Sequence, residues 1–156
     1  MSTDVAIQQM ARDEFIAMKH LFNFSVEFQQ KLHSYVEYHK DFLGVEDSDF
    51  RHVILFAHER DSCQGVAFHY FHFKPTTGWC ELFGLFVEPK YRSKGLGTAL
   101  LTKALELSVG FGATFISVNL TEKGASTGKL AANFLCETEK YRSLVKFRVI
   151  ADGQYL

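Results

Sequence analysis

The stretch "VEPKYRSKGLGTALL", residues 87–101, decides the reading of this chain. It closes a run of β-formers, "WCELFGLFVE" (79–88), breaks at Pro89, and sets Arg92, Lys94, Gly95 and Gly97 just before an apolar helical pattern. Proline cannot continue a strand ladder, so the strand has to stop there. Beyond it, Leu96, Leu100, Ala104 and Leu107, flanked by Ala99, Leu101 and Leu105, form a broad apolar helix face that Gly110 and Gly112 end. The first N–H groups of a helix lack internal partners and sit at its positive end, so a glycine-rich, cationic helix start suits a phosphate.

Two familiar phosphate loops do not fit. A Walker loop needs Lys-Ser or Lys-Thr after its second glycine, and none follows here. A dinucleotide fingerprint needs glycine or alanine where Leu100 stands, and its first glycine close to the strand end rather than at Gly95.

Outward from this stretch, "DVAIQQM" (4–10) alternates as a strand and "ARDEFIAMKHLFNF" (11–24) takes helical spacing. A second helix, "VEFQQKLHSYVEYHKDF" (26–42), is expected to end near Gly44. "HVILFAHE" (52–59) and "GVAFHYFHF" (65–73), joined by "RDSCQ", read as paired antiparallel strands, and the strand of residues 79–88 follows the "KPTTG" turn. After the helix come a strand "ATFISVNL" (113–120), a loop "TEKGASTG" (121–128), a helix "KLAANFLCETEKYRSL" (129–144) and a closing strand "VKFRVIA" (145–151). The order βααβββαβαβ implies an α/β (α+β) fold, a mixed sheet with helices packed on it.

The 156 residues suit one domain spanning 1–156. Seventeen Lys plus Arg against eighteen Asp plus Glu, with no long basic run, argue against a nucleic-acid partner. A 47% apolar composition with sixteen Phe and two Pro points to a folded core without staples. No basic leader precedes an apolar block and no apolar run reaches about 18 residues, so the expectation is a cytoplasmic protein without membrane partners. Cys63, Cys80 and Cys136 are odd in number and far apart, which fits reduced thiols.

The remaining spacing, R-x-x-G-x-G on Arg92, Gly95 and Gly97 between a strand and a helix, resembles the acetyl-CoA motif of the GNAT N-acetyltransferase superfamily. The resemblance implies a mixed, mostly antiparallel sheet with splayed strands flanked by helices, and acetyl-CoA as co-substrate without a metal. Backbone N–H groups of Ser93, Lys94, Gly95, Leu96, Gly97 and Thr98 would surround its pyrophosphate, with Arg92 and Lys94 supplying charge. By the same resemblance, Leu85, Phe86 and Val87 would offer backbone groups to the pantetheine arm. "NFLCETEKYRSLVKF" (133–147) is similar to the family's second contact, with Asn133, Cys136, Tyr141 and Phe147 in its key places. It departs from the pattern in the position of Tyr141 and in Val145-Lys146 before Phe147. The chain stops at Leu156 where the family begins its final strand, so that strand is expected to be short or missing, with a neighbouring subunit and hence a homodimer as one remedy.

Direct transfer to a primary amine calls for a base and an acid. Glu81, placed by alternation on the face of Phe83, Leu85 and Val87, is the candidate base, since apolar neighbours raise a carboxyl pKa; the alternative is a carboxylate solvated at a strand end. Tyr141 is the candidate acid, against an ordinary helix residue. The activity expected is N-acetyl transfer to a small molecule, peptide or protein amine, with a non-catalytic acyl-CoA sensor as the alternative. His69 and His72 share no strand face and make a poor metal site. Cys136 reads as a buried small residue on a helix, with an acyl-accepting thiol as the alternative, and the aromatics Phe22, Phe24, Phe28, Tyr35 and Tyr38 as core or as the wall of an acceptor pocket.

Overall fold

A computed structural model describes residues 4–43, 50–120, 127–151 and 154–155. Among the described residues seven strands lie in sequence order in one sheet: β1 (Val5–Ala11), β2 (Arg51–Glu59), β3 (Gly65–Lys74), β4 (Trp79–Val87), β5 (Phe115–Leu120), β6 (Lys146–Ala151) and β7 (Gln154–Tyr155). Neighbours pair antiparallel except β4 with β5 and β5 with β6, which are parallel. Parallel partners need long crossovers. The helices α3 (Leu96–Gly110) and α4 (Thr127–Thr138) supply them. The closing strand β7 has two residues, the short last strand expected from the sequence.

Each sheet face carries its own core. On one side Leu100, Leu101, Ala104 and Leu105 of α3 and Phe134 of α4 pack on Leu55, Phe71, Leu82 and Ile116. On the other, α1 (Arg12–Met18) and α2 (Val26–Leu43) bring Phe15 and Phe28 onto Ile54, Phe56, Phe68 and Phe86. The second core is an aromatic assembly, with Phe28 stacked on Phe24 at 4.5 Å and tilted on Phe68 at 4.9 Å.

The helix expected over 11–24 is shorter. After α1 a single 3₁₀ turn (Lys19–Leu21) ends it, and Phe22 to Ser25 run extended. Tertiary pairing overrides the helical spacing. The Asn23 N–H donates to the Cys63 carbonyl at 2.7 Å and its carbonyl accepts from the Gly65 N–H at 2.9 Å, tying the segment to the β2–β3 loop. Likewise the helix expected over 129–144 is α-helical only over Thr127–Thr138, then turns 3₁₀ through Tyr141. Thr138 Oγ1 donates back to the Leu135 carbonyl at 2.7 Å at this change. Thr127 and Gly128 thus belong to α4, while residues 121–126 of the expected loop, and the expected stop at Gly44, lie outside the described residues.

α2 begins at a cap that the sequence reading missed. The Phe28 N–H donates to Ser25 Oγ at 3.0 Å, and the same hydroxyl donates to the Glu88 carboxylate at the end of β4. Ser25→Ala removes both the helix cap and this tether, and is expected to cost about 1–2 kcal/mol, read as a lower urea midpoint at unchanged slope.

Candidate active site

β4 and β5 pair only from Trp79↔Phe115 to Leu82↔Val118. Beyond Leu82 the two strands part, while β4 stays paired to β3 through Val87. The Glu88 N–H donates to the Val66 carbonyl on the β3 side at 2.8 Å. Peptide groups alternate along a strand, so Val87 and Leu85 turn theirs toward the side that β5 has left. The residues expected to offer backbone groups therefore divide. Leu85 and Val87 face the opening, whereas Phe86 turns its peptide to β3 and buries its ring against α2.

The glycine loop sits directly at this opening. Pro89–Tyr91 form a 3₁₀ turn, Ser93 has φ of 63° and Gly95, the cap of α3, has φ of 82°. A glycine suits that second position because a Cβ is disfavoured in left-handed backbone. Space around it is open, with no heavy atom within 4 Å of where a Cβ would stand. Gly97 faces the other way: a Cβ there would lie 3.6 Å from Leu85, 3.7 Å from Leu130 of α4 and 3.9 Å from Val87. The first helical bond of α3 runs from the Ala99 N–H to the Gly95 carbonyl. The N–H groups of Ser93 through Thr98 thus have no backbone acceptor among the described residues.

Charge collects around the same loop. Lys90 and Lys94 place their Nζ atoms 5.4 and 5.8 Å from the Tyr91 ring centre, and the Tyr91 hydroxyl donates to Glu59 at the end of β2. That anchor holds the Glu59 carboxyl below its ordinary range, while burial, first, and Glu59 push the Tyr91 phenol up to about 12. Arg92 is exposed, and its Nε donates to the Val87 carbonyl at 2.8 Å. The guanidinium therefore braces the strand end as well as adding charge.

Glu81 does not lie where simple alternation puts it. Tyr70 pairs with Gly84 and Phe71 with Leu82, so Phe83 is an extra residue, a β-bulge. The bulge shifts the phase of β4. Cys80 and Leu82 join Leu85 and Val87 on the α3 side, while Glu81 shares the α2 side with Gly84 and Phe86. The expected neighbours Leu85 and Val87 are thus replaced by His72, whose Nε2 is 3.7 Å from Glu81 Oε2. The expected direction of titration holds: burial raises the Glu81 carboxyl, with Arg148 acting against it.

Tyr141 is half-buried against the α3–α4 core, and its hydroxyl has no hydrogen bond among the described residues. Glu81 and Tyr141 accordingly stand on opposite sides of the sheet, and the parting of β4 from β5 is where the two sides meet. Asn133 is exposed on α4, one turn beyond Leu130, without a polar contact among the described residues.

On the α1–α2 side Phe15, Phe22, Phe24 and Phe28 line a cavity of about 650 Å³ that Arg12 and Lys19 border. Three of the expected pocket aromatics are therefore both core and wall. Tyr35 instead packs against Gly84, where a Cβ would come 3.0 Å from its ring, and the Tyr38 side chain lies outside the described residues. Among the cysteines, Cys80 is buried beside Ser108, its thiol pushed up to about 12 by burial, while Cys63 is exposed and so, against the expected burial, is Cys136, which α4 turns away from the side of Ala131 and Phe134; all three are free. Among the described residues no three His, Cys, Asp or Glu side chains gather to hold a metal, and no helix is long and apolar enough to cross a membrane.

The chain thus has a mixed open sheet whose central strands part beside a glycine-rich helix start. Residues 8–128 match the model of the acetyltransferase (GNAT) family, and the chain belongs to that family. An aminoglycoside acetyltransferase from an uncultured soil metagenomic sample shares the fold, with a TM-score of 0.52, 19% identity, and coverage of 85% of this chain and 88% of its own. A ribosomal-protein-alanine N-acetyltransferase from Brucella melitensis biovar Abortus 2308 aligns over 90% of each chain at 17% identity and a TM-score of 0.47. A nourseothricin acetyltransferase matches at 25% identity over 44% of this chain and 38% of its own, with a TM-score of 0.35. No curated protein sequence matches the chain significantly.

Proposed function

We propose that the protein transfers the acetyl group of acetyl-CoA directly to a primary amine of a small molecule, peptide or protein. The observation that carries this reading is the coincidence of three features at one place: the end of the β4–β5 pairing, the backbone groups of Leu85 and Val87 on the side that β5 has left, and the N–H groups of residues 93–98, which have no backbone acceptor among the described residues. The cradle fits a pyrophosphate, because its amides converge at a positive helix end and no side chain of Gly95 enters the open space. Arg92 and Lys94 add charge for the phosphates, and Asn133 lies on the neighbouring helix. When bound, acetyl-CoA supplies an activated acetyl thioester.

The chain's own residues then have separable tasks. Glu81, whose carboxyl burial raises above its ordinary range, takes in its ionised form a proton from the acceptor amine, directly or through water. Tyr141, whose hydroxyl has no hydrogen bond among the described residues, returns a proton to the leaving sulfur. A backbone N–H facing the opening, from Leu85 or Val87, polarises the carbonyl.

Calorimetry with acetyl-CoA tests the cofactor: absence of heat and of a thermal shift at millimolar concentration defeats the reading. Thiol release across an amine panel then separates enzyme from sensor, since binding without turnover on any amine favours the sensor. For Glu81 the sign is definite. The base form must be ionised and burial raises the carboxyl, so the acid limb of kcat/KM should lie above the ordinary carboxylate value of about 4.3. In Glu81→Gln that limb should vanish with a loss of about 10²–10⁴-fold in rate, and full turnover from pH 6 to pH 9 would remove Glu81 from the mechanism.

A further inference from the structure

A polar row crosses the α2 side of the sheet. His52 of β2 is the register partner of His72 of β3, His72 of Glu81 on β4, Glu81 of Ser117 on β5, and Ser117 of Arg148 on β6. Parallel and antiparallel pairing thus bring two imidazoles, a carboxylate, a hydroxyl and a guanidinium to one level of the fold. The imidazoles are buried, with relative exposures of 7% for His52 and 0% for His72. His52 Nδ1 shares a hydrogen bond of 2.8 Å with the buried Tyr70 hydroxyl, which fixes the far end of the row.

We propose that His72 is the positioning residue for Glu81: with its Nε2 3.7 Å from Oε2, it holds the carboxylate in its ionised, proton-accepting form at the β4 level where β5 begins to leave. The inference rests on Glu81 serving as the base. Buried polar side chains are costly, and a sheet face otherwise filled with Phe56, Phe68 and Phe86 would be cheaper to complete with apolar residues. An imidazole that turns an N–H toward a half-buried carboxyl instead favours the charged form, against the burial that favours the neutral one. The distance is that of an ion pair rather than a direct hydrogen bond, so a small rotation of either side chain tightens or loosens the hold.

The ring is itself pinned from the other directions. Phe50 and Trp79 meet it edge-on at 4.8 and 5.5 Å, and the described groups of charge or proton affinity that face this cluster are His52, Tyr70, Glu81, Arg148 and, over Phe50, Lys74. Arg148 of β6 acts on the same carboxylate through its charge, and His72 of β3 stands 3.7 Å from it, both in the one register row.

The test compares the parent with His72→Leu and His72→Gln, each first checked for a cooperative melt and for acetyl-CoA binding by calorimetry. Carbon-13 NMR of the labelled Glu81 carboxyl, which needs no acceptor, should show its midpoint rising by about one pH unit in His72→Leu. The acid limb of kcat/KM on an amine from the panel should move up with it, with acetyl-CoA affinity changed less than about 2-fold. His72→Gln keeps a neutral N–H donor and should restore about half of the shift or more. A carboxyl midpoint and an acid limb in His72→Leu that superimpose on the parent overturn the proposal; should that variant not fold, an unshifted carboxyl midpoint together with an unshifted limb in His72→Gln does so. If Glu81→Gln is inactive while His72 variants behave as the parent, only this inference falls; if Glu81→Gln is fully active, the assignment of the base falls and takes the inference with it.

Discussion

Gly97→Trp is expected to abolish acetyl-CoA binding, weakening it by at least about 100-fold by calorimetry, while Gly97→Ala changes it by only a few-fold. The geometry separates the two. A methyl group at this position would make ordinary contacts of 3.6 to 3.9 Å with Leu85, Leu130 and Val87, so alanine needs no movement. An indole has to fill the gap between α3, β4 and α4, the gap onto which the backbone of Leu85 and Val87 opens. It would also push α3 off the strand end and turn its N–H groups away from their common focus. Melting curves for both variants distinguish a blocked cleft from an unfolded protein: full binding by a folded Gly97→Trp would mean that the donor lies elsewhere.

Phe28→Ala is expected to lower stability by about 3–5 kcal/mol, a large part of the ~5–15 kcal/mol typical of a domain, and to lower the melting temperature by about 10 °C. Phe28 is fully buried and meets Phe24, Phe68 and Phe86, so its removal opens a cavity where α2 rests on the sheet. Neighbouring aromatic rings cannot close it, because Phe24 and Phe68 are held by their own partners, Phe15 among them. A drop of less than about 1 kcal/mol in chemical denaturation would show that α2 collapses onto the sheet without it. The glycine loop is on the opposite side, so acetyl-CoA should still bind below the melting transition.

The donor half of the site was readable because its determinants are local. Strand, proline, cations, glycines and helix follow one another within residues 79–110, and each is a short-range signal. The element order was readable for the same reason, down to the brief final strand. What escaped is long-range. Asn23 leaves its helical pattern only because the β2–β3 loop offers its backbone two partners, and Ser25 looks like any polar residue until Glu88 arrives beside it. The row from His52 to Arg148 depends on the register of strands far apart in sequence, which no periodicity within one strand encodes. Glu81 was singled out for the right property, a carboxyl raised by burial, and assigned to the wrong side, since alternation was counted across Phe83 as if the strand were regular.

That extra residue makes β4 a strand of two blocks with opposite parity. Even-numbered positions before it and odd-numbered ones after it serve the same layer. Removing the single residue at position 83 would set Leu82 next to Gly84 and leave a regular strand, with Glu81 still beside His72 and Cys80 and Leu82 still beneath α3. What would go is the local twist that an extra residue puts into the strand. Drawing Phe83 into the ladder instead would turn the block Trp79–Leu82 over as a unit, so the bulge, more than the chemistry of the side chain that occupies it, decides which residues meet which layer.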